Sequence, residues 1–441
     1  MAYEPRHRQY RIKWKVALPL LLLVVLVVYA GVSVFQKKED DKVKYSICGF
    51  TPEKTASLLN KKNADVYTIS DYVYYGESLG LFEEAYSPLH SNALSGKSLI
   101  LHNICDDSET TIALENTADQ KIQLGTIAPG FYDITVIDNL VKKKLVYADV
   151  LQENQFETAV RDNLVKNVSI IANKNLLEDQ GITLDHNYVY LNIEEQEPTD
   201  DQIDVLLDPY GMNIDLTTVP DEGASGNGLS ENEEMYAAAE LLKKELESYG
   251  LRVAISKNSQ DEIISSYGEN GRYAKGYEQH AKYYISLRFS SSATDSNASG
   301  LEIAHSSYSS PNLARNVMYY MQKDNYISPS KLYYDDYNWP GVTSTNLIKG
   351  LLDNQQIYDL NMQLRETGGR ATLAGKFSET SQKENGVFAN SDGMQGIELY
   401  FAYITNTTDA STWKNNRENI VKSLASAFVK STKIVNEKEE K

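Results

Sequence analysis

The sequence predicts an α/β domain with a mostly parallel sheet flanked by helices, preceded by a β-rich domain and an N-terminal transmembrane helix. Three patterns support this prediction: strands and helices alternate over residues 203–435, short period-two strands fill residues 43–194, and residues 16–36 are apolar. Alternating strands and helices are typical of parallel sheets, whereas short strands separated by turn residues are typical of antiparallel sandwiches. The acidic run 195–202 is predicted to link the two domains.

The N-terminal segment combines a basic start with a long apolar stretch. Residues 1–15 contain five Arg or Lys and one Glu, and the next twenty residues, Val16–Phe35, contain no charge. About 20 apolar residues span a bilayer as a helix, whereas the apolar core of a cleaved signal peptide usually has about 7–15 residues. We therefore expect a transmembrane helix at 16–36, with a cleaved signal peptide as the alternative. Because basic flanks stay inside, we expect a single-pass cell-membrane protein with a cytoplasmic N-terminus and an extracellular body.

Charge and cysteine content limit the possible functions. The formal net charge is −18 at pH 7, and a strongly acidic chain repels polyphosphates, so we expect no nucleic-acid partner. Two cysteines, Cys48 and Cys105, lie in the predicted extracellular part, where a disulfide is permitted. Two unpaired, partly buried thiols are the alternative, and the sequence does not choose between them. The six histidines are scattered without metal-ligand spacing.

The region 43–194 is predicted to be β-rich and sandwich-like. Its short segments with alternating apolar residues are separated by Gly, Asn and Asp. No catalytic constellation is visible here, so we expect a spacer or a protein-contact module, with a short helix at Thr51–Leu59. The predicted strands are Ser98–His102, Thr110–Leu114, Lys121–Leu124, Tyr132–Val136, Lys142–Tyr147, Val168–Ile171 and Tyr188–Ile193.

The distal region 203–435 begins with an apolar strand that ends in a loop. This strand, Asp204–Leu207, runs into Asp208-Pro209, and ligands of α/β sheets bind beyond the carboxyl ends of strands. Ser230 and Glu233 predict a capping box for a helix with apolar residues at helical spacing. Further strands are predicted at 251–255, 283–287, 301–304 and 396–401, and further helices at 271–281, 312–322 and 416–431.

A series of landmarks in the distal region carries a family resemblance. In chain order they are Asp208-Pro209, Asp215, Glu231 leading a helix that ends at Gly250, Val253–Lys257, Arg272 before Ser286-Leu287-Arg288, Gly300–Ile303, and Ile397-Glu398-Leu399 before Thr405-Asn406. This order resembles the zinc-dependent N-acetylmuramoyl-L-alanine amidases of the catalytic domain type 3 group. The resemblance implies cleavage of peptide from glycan in peptidoglycan. It also implies zinc bound by His, Glu and His, with a second Glu acting on the metal-bound water.

The metal site is where this sequence departs from the family. Gly211 and Arg288 stand at the two histidine positions, so Glu231 is the only family ligand retained. Glycine offers no side chain and a guanidinium only donates hydrogen bonds, so neither coordinates a metal. We expect no cofactor, and zinc only if the interpretation of an inactive site is wrong. The position of the catalytic Glu falls on Glu398 or Tyr400, which face the same side of one strand.

The same positions suggest what replaces the metal. A buried Glu231 is costly without a cation, and Arg288 could supply one. We therefore predict a Glu231–Arg288 ion pair; the alternative is that both side chains are exposed and unpaired. Together with Asp208, Tyr210 and Gly211, these two residues are expected to line a binding groove.

These observations favour a membrane-anchored, catalytically inactive amidase-like protein of the bacterial cell envelope. Its expected partner is peptidoglycan or a cell-wall or membrane protein, and Glu398 and Tyr400 would be vestiges of a catalytic site. One alternative is an active amidase with a remodelled site. The other is an interaction scaffold, which fold analogy alone does not separate from a wall-binding protein.

Overall fold

The computed structural model describes residues 64–86, 94–114, 121–178, 181–215, 218–268, 270–295, 297–306, 310–332, 339–344, 347–349, 357–359, 362–364, 367–368 and 393–434. The predicted cytoplasmic segment, the predicted transmembrane helix at 16–36, Cys48 and the predicted helix at Thr51–Leu59 lie outside these residues. Within the described ranges, no helix is both long and apolar enough to cross a bilayer.

Eleven described strands make up the β-rich region. They are β1 (Val66–Ile69), β2 (Asp71–Tyr75), β3 (Ser78–Phe82), β4 (Ser98–Asn103), β5 (Glu109–Ala113), β6 (Ile122–Gln123), β7 (Gly130–Asp138), β8 (Val141–Tyr147), β9 (Leu151–Glu157), β10 (Val165–Ala172) and β11 (Val189–Gln196). Each predicted strand overlaps one of these, and the structure adds β1, β2, β3 and β9.

The strands of the β-rich region form two sheets that share an apolar core. The larger sheet has the order β1-β8-β7-β11-β10-β9 with β4 paired to β7 and β5, and the smaller has the order β2-β3-β6. Tyr72 and Leu79 of the smaller sheet are buried in the same core as Val136 and Ile170 of the larger sheet. Pairing is antiparallel except between β1 and β8, which run parallel. The region is therefore two packed sheets, as alternating apolar residues predict.

Cys105 lies in the tight loop between β4 and β5. It is disulfide-bonded, so the alternative of an unpaired Cys105 thiol is excluded. The sequence has one other cysteine, Cys48.

The distal region alternates strands and helices. Its elements are β12 (Val205–Pro209), β13 (Ser225–Gly226), β14 (Leu229–Ser230), α1 (Glu231–Ser248), β15 (Val253–Ile255), α2 (Ala274–Glu278), β16 (Tyr283–Ser290), β17 (Glu302–His305), α3 (Asn312–Asp324), β18 (Val342–Ser344), β19 (Leu347–Lys349), β20 (Ile357–Asp359), α4 (Met362–Leu364), β21 (Gln395–Tyr403) and α5 (Thr407–Thr432).

The α/β sheet is mixed: four of its five described strand pairings are parallel, as in the predicted mostly parallel sheet, and one is antiparallel. Its order is β15-β12-β16-β21-β17-β18. The first four strands of this order run parallel, but β17 runs antiparallel to β21 and pairs in parallel with β18. A parallel crossover needs about a dozen or more residues and usually a helix. The described part of the 291–301 connection from β16 is loop, so β17 starts at the end of the sheet where β16 finishes.

Helices α1, α3 and α5 pack on one face of the α/β sheet. Leu242 of α1, Val317 of α3 and Phe428 of α5 are buried in one core with Leu207 and Ile285 of the sheet. This arrangement follows from the apolar positions at helical spacing in each helix. The capping box predicted for α1 is wrong, because the side chain of Ser230 makes no capping hydrogen bond.

Buried polar contacts join the β-rich region to the α/β domain. Within the β-rich region, Arg161 forms a bidentate ion pair with Glu77, with N–O distances of 2.6 and 2.8 Å. Tyr283 of β16 donates a hydrogen bond to the same carboxylate at 3.3 Å. Asp204, just before β12, accepts a hydrogen bond from the N–H of Val160 at 2.7 Å. Burial raises the pKa of Asp204 to about 6. Charged groups therefore form part of the contact between the two regions.

Candidate functional site

The candidate site lies where three parallel strands of the α/β sheet end beside the start of α1. The strand register aligns Arg288 of β16 with Tyr400 of β21, two residues beyond Glu398. Asp208 lies on β12, on the other side of β16. Glu231 is the first residue of α1. The fold thus brings together the residues predicted from distant parts of the sequence.

Arg288 lies between two buried carboxylates. Its Nη1 donates to Glu398 Oε1 at 3.0 Å, and its Nε lies 3.8 Å from Glu231 Oε1. The Glu231–Arg288 contact is thus present, and Glu398 adds a shorter one. Burial alone lowers the pKa of Arg288, but Glu398, Tyr400 and Glu231 together raise it above its usual value. The guanidinium therefore stays charged and balances the acids beside it.

Both carboxylate oxygens of Glu231 are held by backbone groups. Oε2 accepts a hydrogen bond from the N–H of Ala224 at 2.7 Å, and Oε1 accepts one from the N–H of Phe289 at 2.8 Å. Burial raises the pKa of Glu231, although Arg288 and these two N–H groups oppose that rise. Glu231 therefore ties the start of α1 to the end of β16.

Two tyrosine rings flank the guanidinium of Arg288. Its Cζ lies 3.7 Å from the ring centroid of Tyr210 and 5.4 Å from that of Tyr400. Both distances are within the roughly 6 Å range of a cation–π contact. The hydroxyl of Tyr210 donates to Asp221 Oδ2 at 2.7 Å, and burial raises the pKa of Tyr210 to about 12. The Arg288 side chain is 21% exposed, so this stack is open to solvent on one side.

The carboxylate of Asp208 faces the protein interior, where both of its oxygens accept hydrogen bonds. Its Oδ1 accepts from Arg272 at 2.8 Å and from the hydroxyl of Ser256 at 2.5 Å, and its Oδ2 accepts from the hydroxyl of Tyr284 at 2.5 Å. Arg272 also donates to the carbonyls of Pro209, at the end of β12, and of Gly211 in the following loop. The Asp208–Arg272 pair therefore sets the shape of the loop that carries Tyr210.

The backbone at Gly211 leaves no room for a side chain. Its φ is +113°, and a Cβ there would lie 2.5 Å from Asn232 Oδ1 and 2.6 Å from Asn232 Cβ. Asn232 Oδ1 accepts a hydrogen bond from the buried Nζ of Lys257 at 2.8 Å. Burial lowers the pKa of Lys257 to about 8. A histidine at position 211 thus has neither a favourable conformation nor space.

The residues at the family's ligand positions do not fit a zinc ion. Catalytic zinc needs three protein ligands that offer lone pairs. Gly211 has no side chain, Arg288 donates to carboxylates, and the oxygens of Glu231 accept hydrogen bonds from backbone N–H groups. Nor does any cluster of three or more His, Cys, Asp or Glu side chains suited to a metal ion occur within the described part of the chain.

Three buried polar residues of the site were not predicted as site residues: Asn232, Lys257 and Arg272. In the family resemblance, Arg272 and Lys257 are only positional landmarks. Charged side chains are almost never fully buried unless they are paired. A charged residue beside the apolar strand Val253–Ile255 was therefore the available signal for Lys257.

The mixed sheet, its three covering helices and the polar cluster at the strand ends define an α/β domain built around one site. Residues 217–431 match the family model of N-acetylmuramoyl-L-alanine amidase, and this domain is amidase-like. The match begins at residue 217, so the loop with Asp208 and Gly211 precedes it. No curated protein matches the chain.

Several solved amidase structures are similar to this chain at low identity. The catalytic domain of the amidase CwlV from Bacillus (Paenibacillus) polymyxa var. colistinus is 16% identical, with a TM-score of 0.35, covering 53% of this chain and 99% of that chain. The N-acetylmuramyl-L-alanine amidase of Mycobacterium smegmatis is 14% identical, with a TM-score of 0.34, covering 52% and 94%. The CwlD amidase of Clostridioides difficile, solved in complex with the GerS lipoprotein, is 14% identical, with a TM-score of 0.31, covering 53% and 97%.

Proposed function

We propose that this chain is a catalytically inactive, amidase-like protein of the bacterial cell envelope whose former active-site groove binds peptidoglycan. The observation that supports the proposal is the guanidinium of Arg288 between Glu231 and Glu398. By resemblance, Glu231 stands at the position of a zinc ligand and Arg288 at that of a histidine ligand. Glu398 or Tyr400 stands at the position of the Glu that acts on the metal-bound water. A guanidinium in this place provides charge but no coordination site for water.

The loss of catalysis follows from the contacts that these side chains already make with one another. Zinc-dependent amide hydrolysis needs a metal-bound water that ionises near neutrality and a carboxylate that moves its proton. Glu398 is fully buried and paired with Arg288 at 3.0 Å. Neither a water-activating group nor an available general base remains at the positions that the family resemblance assigns to these roles.

Binding of peptidoglycan is supported by the stack of Tyr210 on Arg288, with a ring-to-Cζ distance of 3.7 Å. A partly exposed guanidinium donates to carboxylates, and an aromatic face packs against the apolar side of a sugar ring. Peptidoglycan offers both groups, in its peptide carboxylates and its sugars. The proposed anchor is the apolar stretch 16–36, which would hold the domain on the extracellular side of the membrane.

A protein partner is the second candidate, and exposed apolar side chains near the site favour it. Ile263 is 53% exposed and Tyr267 is 42% exposed. The loop that carries them pairs with the loop after β12 through a bridge between Ile264 and Asn213. Exposed apolar groups of this kind are common at protein–protein contacts.

The test uses the full-length chain purified in detergent and insoluble peptidoglycan. We expect the wild type to sediment with peptidoglycan and Tyr210→Ala to bind about tenfold more weakly, since loss of one aromatic contact costs about 1.4 kcal/mol. Tyr249→Ala is the matched control, because Tyr249 is exposed at the end of α1. It should bind as the wild type does.

The same preparation tests inactivity through its zinc content and its release of stem peptides. We expect neither zinc nor peptide release. Stoichiometric zinc together with peptide release would overturn the inactive assignment. If no more wild-type protein than control protein sediments with peptidoglycan, the proposal of wall binding is overturned and the protein partner remains as the candidate function.

A further inference from the structure

A polar cavity lies between the β-rich region and the α/β domain, at the opposite end of β16 from Arg288. Its volume is about 210 Å³, and both regions contribute to its lining. Tyr75 of β2 and Tyr283, the first residue of β16, are buried and form its floor, whereas Asn316 of α3 and Lys433 are exposed at its rim. Pockets for drug-sized ligands have about 300–1,000 Å³, so this one suits a smaller molecule.

The charge of the lining favours an anion. The described residues that line the cavity include Lys121 and Lys433 but no Asp or Glu, in a chain whose formal net charge is −18. Helix α3 begins on the cavity wall at Asn312, and the N-terminal end of a helix carries a partial positive charge. Most of the other lining residues carry hydroxyl or amide groups, which pair with the hydroxyls of a ligand.

The nearby acid Glu77 does not cancel this preference. Tyr283 on the cavity floor donates to Glu77 Oε2 at 3.3 Å. Arg161 neutralises that carboxylate through contacts of 2.6 and 2.8 Å. Glu77 therefore adds no unbalanced negative charge beside the cavity.

We propose that this cavity binds a small anion that also carries hydroxyl groups, such as a sugar acid or a sugar or polyol phosphate. The ligand would contact the β-rich region and the α/β domain at once and so stabilise the contact between them. This proposal goes beyond wall binding at Arg288 and does not depend on it, since the two sites share no residue.

The experiment measures binding of three probes to the full-length chain by isothermal titration calorimetry: glucuronate, glycerol phosphate and glucose. We expect saturable binding of glucuronate, of glycerol phosphate or of both, and at least about tenfold weaker binding of neutral glucose. The tighter of the two anions identifies the source of the negative charge. Absence of saturable binding for both anions, or equal binding of glucose, would overturn the proposal.

Two variants that each add a negative charge locate the binding in the cavity. Lys121→Glu and Asn316→Asp each place a carboxylate in the lining, and we expect at least about tenfold weaker anion binding in both. The second variant is independent of the contact of Lys121 with the ring of Tyr75, at 5.2 Å. Lys244→Glu is the matched control, since Lys244 is exposed on α1 and outside the lining. Wild-type affinity in both cavity variants would contradict the assignment.

Discussion

The guanidinium of Arg288 balances buried carboxylates but cannot ionise water. A zinc ion does both, because it is a Lewis acid with an open coordination position. A guanidinium has only N–H donors and remains protonated. With Glu398 at 3.0 Å and Glu231 at 3.8 Å, this one residue keeps the charge balance of an acidic pocket without the reactivity of a metal centre.

Replacing Arg288 with Met tests this charge balance. Because Arg288→Met leaves Glu231 and Glu398 buried without their cation, we expect the free energy of unfolding to fall by about 3–5 kcal/mol near neutral pH. Burial raises the pKa of Glu231 and Arg288 opposes that rise, so the variant should take up a proton on folding. A carboxyl group whose folded pKa is raised stabilises the protein below its unfolded pKa and loses that contribution as the pH rises. The loss should therefore be smaller at about pH 5 than at about pH 8, measured by urea denaturation.

Arg417→Met is the control for Arg288→Met. Arg417 pairs with Glu234 at 2.8 Å, but its side chain is 40% exposed. Such a pair contributes less than about 1 kcal/mol. Equal, pH-independent losses in the two variants would contradict the assigned role of Arg288.

Restoring both histidines should not restore zinc binding. In Gly211→His/Arg288→His, the new side chain at position 211 has an unfavourable φ of +113° and a Cβ within 2.6 Å of Asn232 Cβ. Such backbone strain alone costs about 1–3 kcal/mol. We expect a destabilised protein without stoichiometric zinc, measured by denaturation and elemental analysis. Full zinc occupancy with unchanged stability would show that the loop opens easily, contrary to the geometry described above.

At the scale of elements, the loop after β12 depends on Arg272. This side chain is buried, pairs with Asp208 at 2.8 Å and donates to the carbonyl of Gly211. We expect Arg272→Met to lower the free energy of unfolding by about 3–5 kcal/mol. Peptidoglycan binding should weaken as well, because the same loop carries Tyr210. Urea denaturation and sedimentation measure the two effects.

The control for the loop is an ion pair between α5 and α1 whose lysine is exposed. Lys422 lies 4.0 Å from Glu245 and is 51% exposed, so Lys422→Met should cost less than about 1 kcal/mol and leave binding unchanged. If Arg272→Met is less stable but binds peptidoglycan as the wild type does, the shape of this loop is not needed for peptidoglycan binding.

Elements with strong local patterns were predictable from the sequence, whereas features set by distant contacts were not. Apolar residues at helical spacing predicted α1, and the structure has it at Glu231–Ser248. The direction of β17 was missed, because it depends on a connection without a helix rather than on the strand's own residues. The pairing of Asp208 with Arg272, which are 64 residues apart, was not predictable from the local sequence around either residue. That Glu231 and Arg288 share one site was predicted from the order of the family landmarks, not from the periodicity of apolar residues.

At the scale of the whole molecule, a tyrosine of the α/β domain donates a hydrogen bond to a buried ion pair of the β-rich region. Glu77 from the turn between β2 and β3 contacts Arg161 at 2.6 and 2.8 Å, and Tyr283 of β16 donates to it at 3.3 Å. Breaking such a pair by removing one partner leaves an uncompensated buried charge. Contacts of this kind favour cooperative unfolding of the two regions.

Glu77→Ala should weaken this cooperativity. We expect one main calorimetric transition in the wild-type chain, and a lower melting temperature with two resolved transitions in the variant, because Arg161 and Tyr283 lose their shared partner. Differential scanning calorimetry of the full-length chain in detergent measures this. Asp138→Ala is the control: Asp138 pairs with Lys143 at 2.7 Å within the β-rich region, so its loss should leave a single transition. Two transitions in the wild type, at the temperatures seen in Glu77→Ala, would mean that the regions unfold independently and that the contact of Tyr283 with Glu77 does not couple them.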